Sequence, residues 1–590
     1  MVHLSALALL LLACAPSKPG GPSDSGSPDG GGLDGGGLDG GGLDGGGLDG
    51  GGDTGEPGVA LTPWDEDHLY HYVITMDPGD WDALRQQSRN IVEMLAGDCM
   101  AAPFPSPYTW FDAQVEIDGQ SFTDVSIRKK GLVGSASTTK PGLKLDLNDT
   151  VTDQLFQGAA ALTLNNGVQD PSLVHQCLAY DLLRDAGPPA PRCAFATVEL
   201  NGQDLGVYVS VEPVKKPFLE DHFGDGDGAL FEGTLSDFRD GWTGTFDPKN
   251  SAAEASHAPI DAVTTALSSA DNTLLDELDG VIDLDAFFDA WALDAIVSHW
   301  DGYAGNTNNF FVYQVPGDGR LVFLPWGMDA TFDTVDFYDQ GEAHVFSKGA
   351  LANRLYQHTQ GRARYLDHLE TLLDTAWDGA VLSERVDNWE ALIGPFVLDP
   401  AGFEEGLARV RSFIDEQPVE LRAELAAGPA SVRDSDMPDA SCLVQRGEVD
   451  ATFTTTWGSL GSSNIWSEGT AELHISIDGT EIPLSLQAAV AGPLTGDGNA
   501  DAAVMVLGLY GKDMVLAPYV ILDDALLSGP TTVPIDWNHS TGYLGIAQGG
   551  GDLVPNAYLY NGQLVLDQSG TGPGATLRGR MTAELWGGAP

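Results

Sequence analysis

Residues 297–333, VSHWDGYAGNTNNFFVYQVPGDGRLVFLPWGMDATFD, decide how the rest of the chain is read. Asp301 stands close to the amides Asn306, Asn308 and Asn309, and two short apolar strands, Phe310–Gln314 and Arg320–Leu324, then lead to a second isolated carboxylate, Asp329. Phosphoryl transfer from ATP calls for such a set. One Asp orients the attacking hydroxyl, while a second Asp and an Asn hold the magnesium that neutralises the phosphates. Asp301 and Asn306 keep the spacing of a kinase catalytic loop, H-R-D-x-x-x-x-N, although the arginine is missing from His299-Trp300-Asp301 and no glycine follows Asp329. In a chain with 86 acidic residues, two aspartates near turns are more often solvated surface than a metal site. The remaining residues have to shift that balance.

The 590 residues, 42% of them hydrophobic, suffice for about two to four domains with sizeable cores. A formal net charge of -58 argues against nucleic acid as a partner, because phosphate backbones are bound through basic patches that release counterions. Residues 1–14 read as an export signal: Ser5–Ala13 is apolar but too short to cross a bilayer, and Leu11-Leu12-Ala13-Cys14 resembles a bacterial lipobox whose cysteine carries lipid after cleavage. Met1-Val2-His3 carries no Lys or Arg. Ala15 rather than Asp follows Cys14, and by resemblance to lipoprotein sorting this implies export with a lipid anchor in the outer membrane. Residues 15–60, with GGGLD repeated from Gly30 to Asp49, cannot bury enough apolar surface to offset backbone entropy and are expected to form a disordered tether. Cys99, Cys177, Cys193 and Cys442 permit three disulfide connectivities, and nothing in the sequence selects among them.

A principal domain is expected over residues 61–430. Its first part alternates like strands at Tyr70–Thr75, Ala113–Gln120, Val125–Lys130 and Leu143–Leu147. Between the last two lies Arg128–Lys144, RKKGLVGSASTTKPGLK, the densest basic run in an acidic protein. A phosphate site accounts for it, with cations cradling oxygens and small residues admitting the backbone; an exposed hairpin with solvated charges accounts for it equally well.

From about Tyr70 to Phe332 the sequence resembles the CotH kinase family, a group of atypical kinases. The resemblance is carried by Val125-Ser-Ile-Arg128-Lys-Lys130-Gly131, Leu162-Thr-Leu-Asn165-Asn166 with Asp170-Pro171-Ser172, Val198-Glu-Leu-Asn201-Gly202 with Leu205-Gly206-Val-Tyr208, and Val211-Glu212-Pro213, and then by Asp301, Asn309 and Pro325-Trp326 with Asp329. It implies an α+β fold: an atypical protein-kinase-like two-lobed domain, with Pro171–Asp185 as the helix of the small lobe and Glu212–Lys216 as the hinge. It further implies Asp301 as the catalytic base, Asp329 as a magnesium ligand completed by Asn309 or Asn306, and Arg128, Lys130, Lys144 and Glu212 as ATP-binding residues. Asn309, followed by Phe-Phe-Val-Tyr313, matches the family's N-Y-Y-x-Y and is favoured over Asn306. Gly327 replaces the first acid of the family's Trp-Asp-x-Asp. The helix has no Glu, so the usual Lys–Glu pair is absent or uses Asp181.

Residues 440–590 read as successive strands with Asp478-Gly and Asn561-Gly turns, which predicts an all-β, sandwich-like domain. Residues 497–501 begin like a calcium loop, but Ala502 stands where its Gly belongs and an ordinary polar turn is preferred. The expected function is that of a surface-anchored, ATP- and magnesium-dependent kinase acting on Ser or Thr of unidentified exported proteins. The alternative is a catalytically silent kinase-like fold used in adhesion or coat assembly.

Overall fold

The computed structural model describes residues 62–588 except 133–134, 136, 334–345, 429–436, 438–441, 495–500, 538 and 552. Cys14, the glycine-rich segment and residues 497–499 of the calcium-like motif lie outside the described residues. Among the described residues, no helix is long and apolar enough to cross a membrane.

Alternation builds the first layer. β1 (Leu69–Met76), β2 (Phe111–Ile117), β3 (Gln120–Lys130), β4 (Gly142–Asp146), β5 (Ala161–Asn165), β6 (Cys193–Leu200) and β7 (Gln203–Val211) close into a barrel in the order β1-β2-β3-β4-β5-β7-β6, with β6 returning parallel to β1. Tyr72, Ile74, Val115, Val125, Ile127, Leu143, Leu145 and Leu164 fill its interior. Because side chains alternate between faces, the intervening residues Arg128, Lys130, Lys144, Thr163 and Asn165 form a strip on the outside, in register across β3, β4 and β5. The basic run is therefore not an exposed hairpin. Arg128, Lys129 and Lys130 are 4%, 0% and 7% exposed. Lys129 Nζ donates to Arg85 O at 2.8 Å and Lys140 Nζ to Val207 O at 2.7 Å, which leaves Arg128, Lys130 and Lys144 on the outer strip.

The helix expected from Pro171 begins four residues later and runs His175–Ala186. Asp170 causes the delay, since its carboxylate accepts from Ser172 N at 2.9 Å and His175 N at 2.8 Å and winds the intervening residues into a turn. Below the barrel lies a second sheet, β8 (Leu230–Gly233), β9 (Asp247–Pro248), β10 (Phe310–Gln314) and β11 (Leu321–Pro325), in the order β11-β10-β8-β9. Helices Leu284–Ile296, Ala350–Gln357, Thr359–Thr375, Gly379–Ile393 and Pro400–Ala427 share one core with it. Leu284, Phe287, Phe288, Trp291 and Ala295 are all buried there, and Trp291 stacks on Tyr365 at 3.7 Å.

The C-terminal part is all-β, but its strands belong to one continuous ten-stranded sheet. The sheet curls around a main core until strands near its two ends meet: Leu473 N donates to Gln487 Oε1 at 2.8 Å, and Thr455 Oγ1 donates to Ala489 O at 2.7 Å, while Ala488, Val490, Leu507 and Ala517 form a smaller cluster of their own. Asn561-Gly562 is not a turn. It lies inside the strand Val554–Gln568, where the ladder slips between Tyr560 and Gln563, a β-bulge that takes the positive φ of Asn561.

Of the three connectivities the structure adopts Cys99–Cys442 and Cys177–Cys193. The first ties the β-domain to a segment inserted after β1. Around it Ile91, Met94, Met100, Phe104 and Trp242 pack against Leu443, Tyr543 and Tyr558.

Candidate active site

Asp301 is reached from the helix Leu284–Ile296, which stops five residues before it because Ser298 takes a φ of 56° and Phe332 N caps Val297 O at 2.9 Å. The chain then folds back on itself. Asp301 Oδ1 accepts from Asn306 Nδ2 at 2.6 Å and Asn308 Nδ2 at 3.2 Å, and Oδ2 accepts from Asn309 Nδ2 at 2.7 Å. The three amides expected near Asp301 thus converge on it. Burial pushes its carboxyl up to about 6, against the pull of these hydrogen bonds and of His299. Behind it, burial works to lower the His299 imidazole, but Asp294, 3.0 Å from Nδ1, prevails and holds it above its ordinary value.

Asp329 follows β11 on a turn that needs Gly327 at a φ of +57°, where an added Cβ would lie 2.4 Å from Asn309 Oδ1. Desolvation pushes its carboxyl up to about 7, with the charge of Asp301 adding to the shift and Lys130 opposing it. His175 Nδ1 lies 2.9 Å from Asp329 O. Lys130 Nζ donates to Asn165 Oδ1 and sits 5.8 Å from the Trp326 ring centre. Lys130, Asn165, Gln176, Trp326, Gly327 and Asp329 line one tight cavity.

Trp326 is also a wall of a larger cavity of about 520 Å³. Its roof is the outer strip of the barrel, with Arg128, Lys144 and Thr163; its floor is Leu230, Glu232, Lys249 and Phe311; its back is the connection Pro213–Pro217. This volume suits a small organic ligand. Arg128 stacks over Trp110 at 4.9 Å, and its Nε has no hydrogen-bond partner among the described residues.

Two expectations need correction. Glu212 does not line this cavity: its carboxylate accepts from Arg192 N at 3.1 Å and Arg192 Nε at 2.9 Å, so it pins the connection from outside. Asp181 is not paired with Lys130 either; it meets Arg184, and Arg385 at 3.6 Å. Sequence inspection missed Gln176, His175, Glu232 and Lys249. Asn165 lies in one of the motifs that carry the family resemblance, but nothing local in the sequence marks its partner.

The donor set fits a hard cation bound together with a polyphosphate. Asn309 Oδ1 is buried with no hydrogen-bond partner among the described residues, and Asp301, which holds Asn309 through its Nδ2, lies within electrostatic reach of the Asp329 carboxylate. Magnesium in such sites takes one or two protein oxygens, with phosphates and water completing the shell. No cluster of three or more His, Cys, Asp or Glu suited to a metal occurs among the described residues, and this mode of binding does not need one.

The chain is 25% identical over 262 residues to the inner spore coat protein H of Bacillus subtilis, covering 42% of this chain and 71% of that protein. It is 22% identical to the invasin CotH3 of Rhizopus delemar, covering 37% of this chain and 41% of the relative, so it spans less than half of that protein's length. Among solved structures, the proinflammatory kinase CtkA of Helicobacter pylori superposes with a TM-score of 0.24 at 8% identity, over 49% of this chain and 95% of the kinase. The family described as CotH kinase protein matches residues 117–422, just over half of the chain. With Asp301, Asn309, Asp329 and the basic strip of the barrel all inside that span, the chain belongs to the CotH kinase protein family.

Proposed function

We propose that this protein transfers the γ-phosphate of ATP to a Ser or Thr hydroxyl of an exported or surface protein. The observation that carries the proposal is the buried Asp301 carboxylate, held by three side-chain amides within electrostatic reach of Asp329, whose neighbour Trp326 forms a wall of a cavity of about 520 Å³. Adenine would lie against Pro213–Pro217, with the barrel and the second sheet acting as the two lobes, and the phosphates would face Arg128, Lys130 and Lys144. Bound magnesium supplies neutralisation of the phosphate charge, and Asp329 with Asn309 Oδ1 would hold it. Asp301 orients the acceptor hydroxyl and takes its proton, and the amides keep the carboxylate aimed while that happens. Two disulfides suit an oxidising compartment and support export, which we extend to a lipid anchor on Cys14 in the outer membrane.

Titration calorimetry of the full chain with ATP and magnesium, together with transfer of labelled phosphate to an acceptor protein, tests the activity. Saturable binding and Ser/Thr labelling are expected, and a flat titration at millimolar nucleotide ends the proposal. For the anchor, wild type should partition into detergent and Cys14→Ser should not; equal partitioning rules the anchor out. Gly327, which leaves the turn with one acid, favours a second reading in which the fold is silent and serves adhesion or surface assembly. That reading requires no ATP binding, and surface attachment indifferent to changes at Asp301 and Asp329.

A further inference from the structure

Lys130, whose charge opposes the rise of the Asp329 carboxyl and which lines the same cavity, is held by a relay of side chains. Lys130 Nζ donates to Asn165 Oδ1, and Asn165 Nδ2 donates in turn to Gln176 Oε1 at 2.7 Å. Gln176 is 3% exposed and occupies the first turn of the helix His175–Ala186. Its neighbours on that turn are equally engaged: His175 contacts the backbone of Asp329, and Cys177 is bonded to Cys193 of β6. Three successive residues therefore tie one helical turn to Asp329, to Lys130 and to the barrel.

An amide can face either way, and only one orientation of Asn165 suits an ammonium. Its oxygen must point at Lys130, since its NH₂ would present donors to a group that has only donors. Gln176 Oε1 settles the orientation by accepting from Asn165 Nδ2. The relay is neutral, so Asn165 aims the ammonium through a hydrogen bond and not through an opposing charge. We propose that Gln176 is a positioning residue for phosphoryl transfer, which keeps Lys130 aimed at the phosphates by fixing the orientation of Asn165. The proposal rests on the nucleotide reading given above.

The test uses the full chain with Gln176→Leu, which removes the acceptor, and Gln176→Glu, which keeps one. Acylation of Lys130 by an amine-reactive ester, followed by mass spectrometry, needs no nucleotide. Gln176→Leu should raise the labelling rate several-fold, and Gln176→Glu should recover most of the protection. In kinetics, Gln176→Leu should raise KM for ATP roughly tenfold, the worth of about one buried hydrogen bond, with a smaller change in kcat. If the Leu variant does not fold, Asn165→Leu breaks the same relay from its other end and must give the same two changes. Labelling and KM unchanged in Gln176→Leu, in a wild type that binds ATP, overturn the role of Gln176 alone. Glu behaving like Leu overturns it as well. A wild type that binds no ATP, while the labelling difference persists, overturns the nucleotide reading and the transfer role together.

Discussion

Three amide N–H donors on one carboxylate hold Asp301 in a single orientation, while burial pushes its carboxyl up to about 6. A group that takes a proton must be ionised, so the transfer rate should rise with pH through about 6, level off above it and be lost as pH falls below it. Asp301→Asn should lower transfer by roughly 10²–10⁴-fold with ATP binding nearly intact, because orienting the hydroxyl matters mainly in the transition state. Asp329→Ala should remove magnesium-dependent nucleotide binding and turnover together, and calorimetry beside single-turnover labelling separates the two patterns. Gly327 gives a sharper prediction. Restoring an acid with Gly327→Asp should not improve the site, since the new Cβ would fall 2.4 Å from Asn309 Oδ1 on a backbone with φ +57°. A stability loss of about 1–3 kcal/mol and weaker magnesium-dependent ATP binding are expected, and tighter binding than wild type would refute this account of the turn.

At the scale of elements, the strand pair before Asp329 and the strands β1 to β4 were legible because period-2 burial is written locally. Element ends were less so. The start of the helix His175–Ala186 depends on Asp170 capping, and the end of Leu284–Ile296 on a contact from Phe332. The bulge at Asn561 has the same dipeptide as a hairpin turn, and only its neighbouring strands show which it is. The Cys177–Cys193 bond, across a separation of 16 residues, locks the helical turn that carries His175 and Gln176. Replacing both cysteines by serine should cost about 3 kcal/mol, read as a lower thermal midpoint. It should also weaken ATP binding, because the same turn aims Lys130. A midpoint loss with unchanged affinity would show the bond to be purely structural.

At the scale of the whole molecule, the β-domain is an attached part of the structure rather than a bead on a linker. Cys99–Cys442 joins residues 343 apart, Tyr560 OH donates to Glu93 Oε1 at 2.6 Å, and Asn90 Nδ2 donates to Asp536 O at 2.9 Å. Leu132, two residues after Lys130 of the site, packs in the same apolar cluster as Leu443 and Tyr543. The full chain should therefore unfold in one calorimetric transition, and a chain cut after Ala427 should aggregate as Ile91, Met100 and Phe104 lose their cover; two well-separated transitions would refute the coupling. By itself the sequence determined the mixed fold and the family and singled out Asp301 and Asp329 as candidates, because those rest on patterns within short stretches. Which cysteines pair, that Glu212 serves Arg192, and that Gln176 reaches Lys130 through Asn165 were decided only by tertiary structure. Each of these joins residues on different elements, and a buried polar group takes whichever partner packing brings within hydrogen-bond reach.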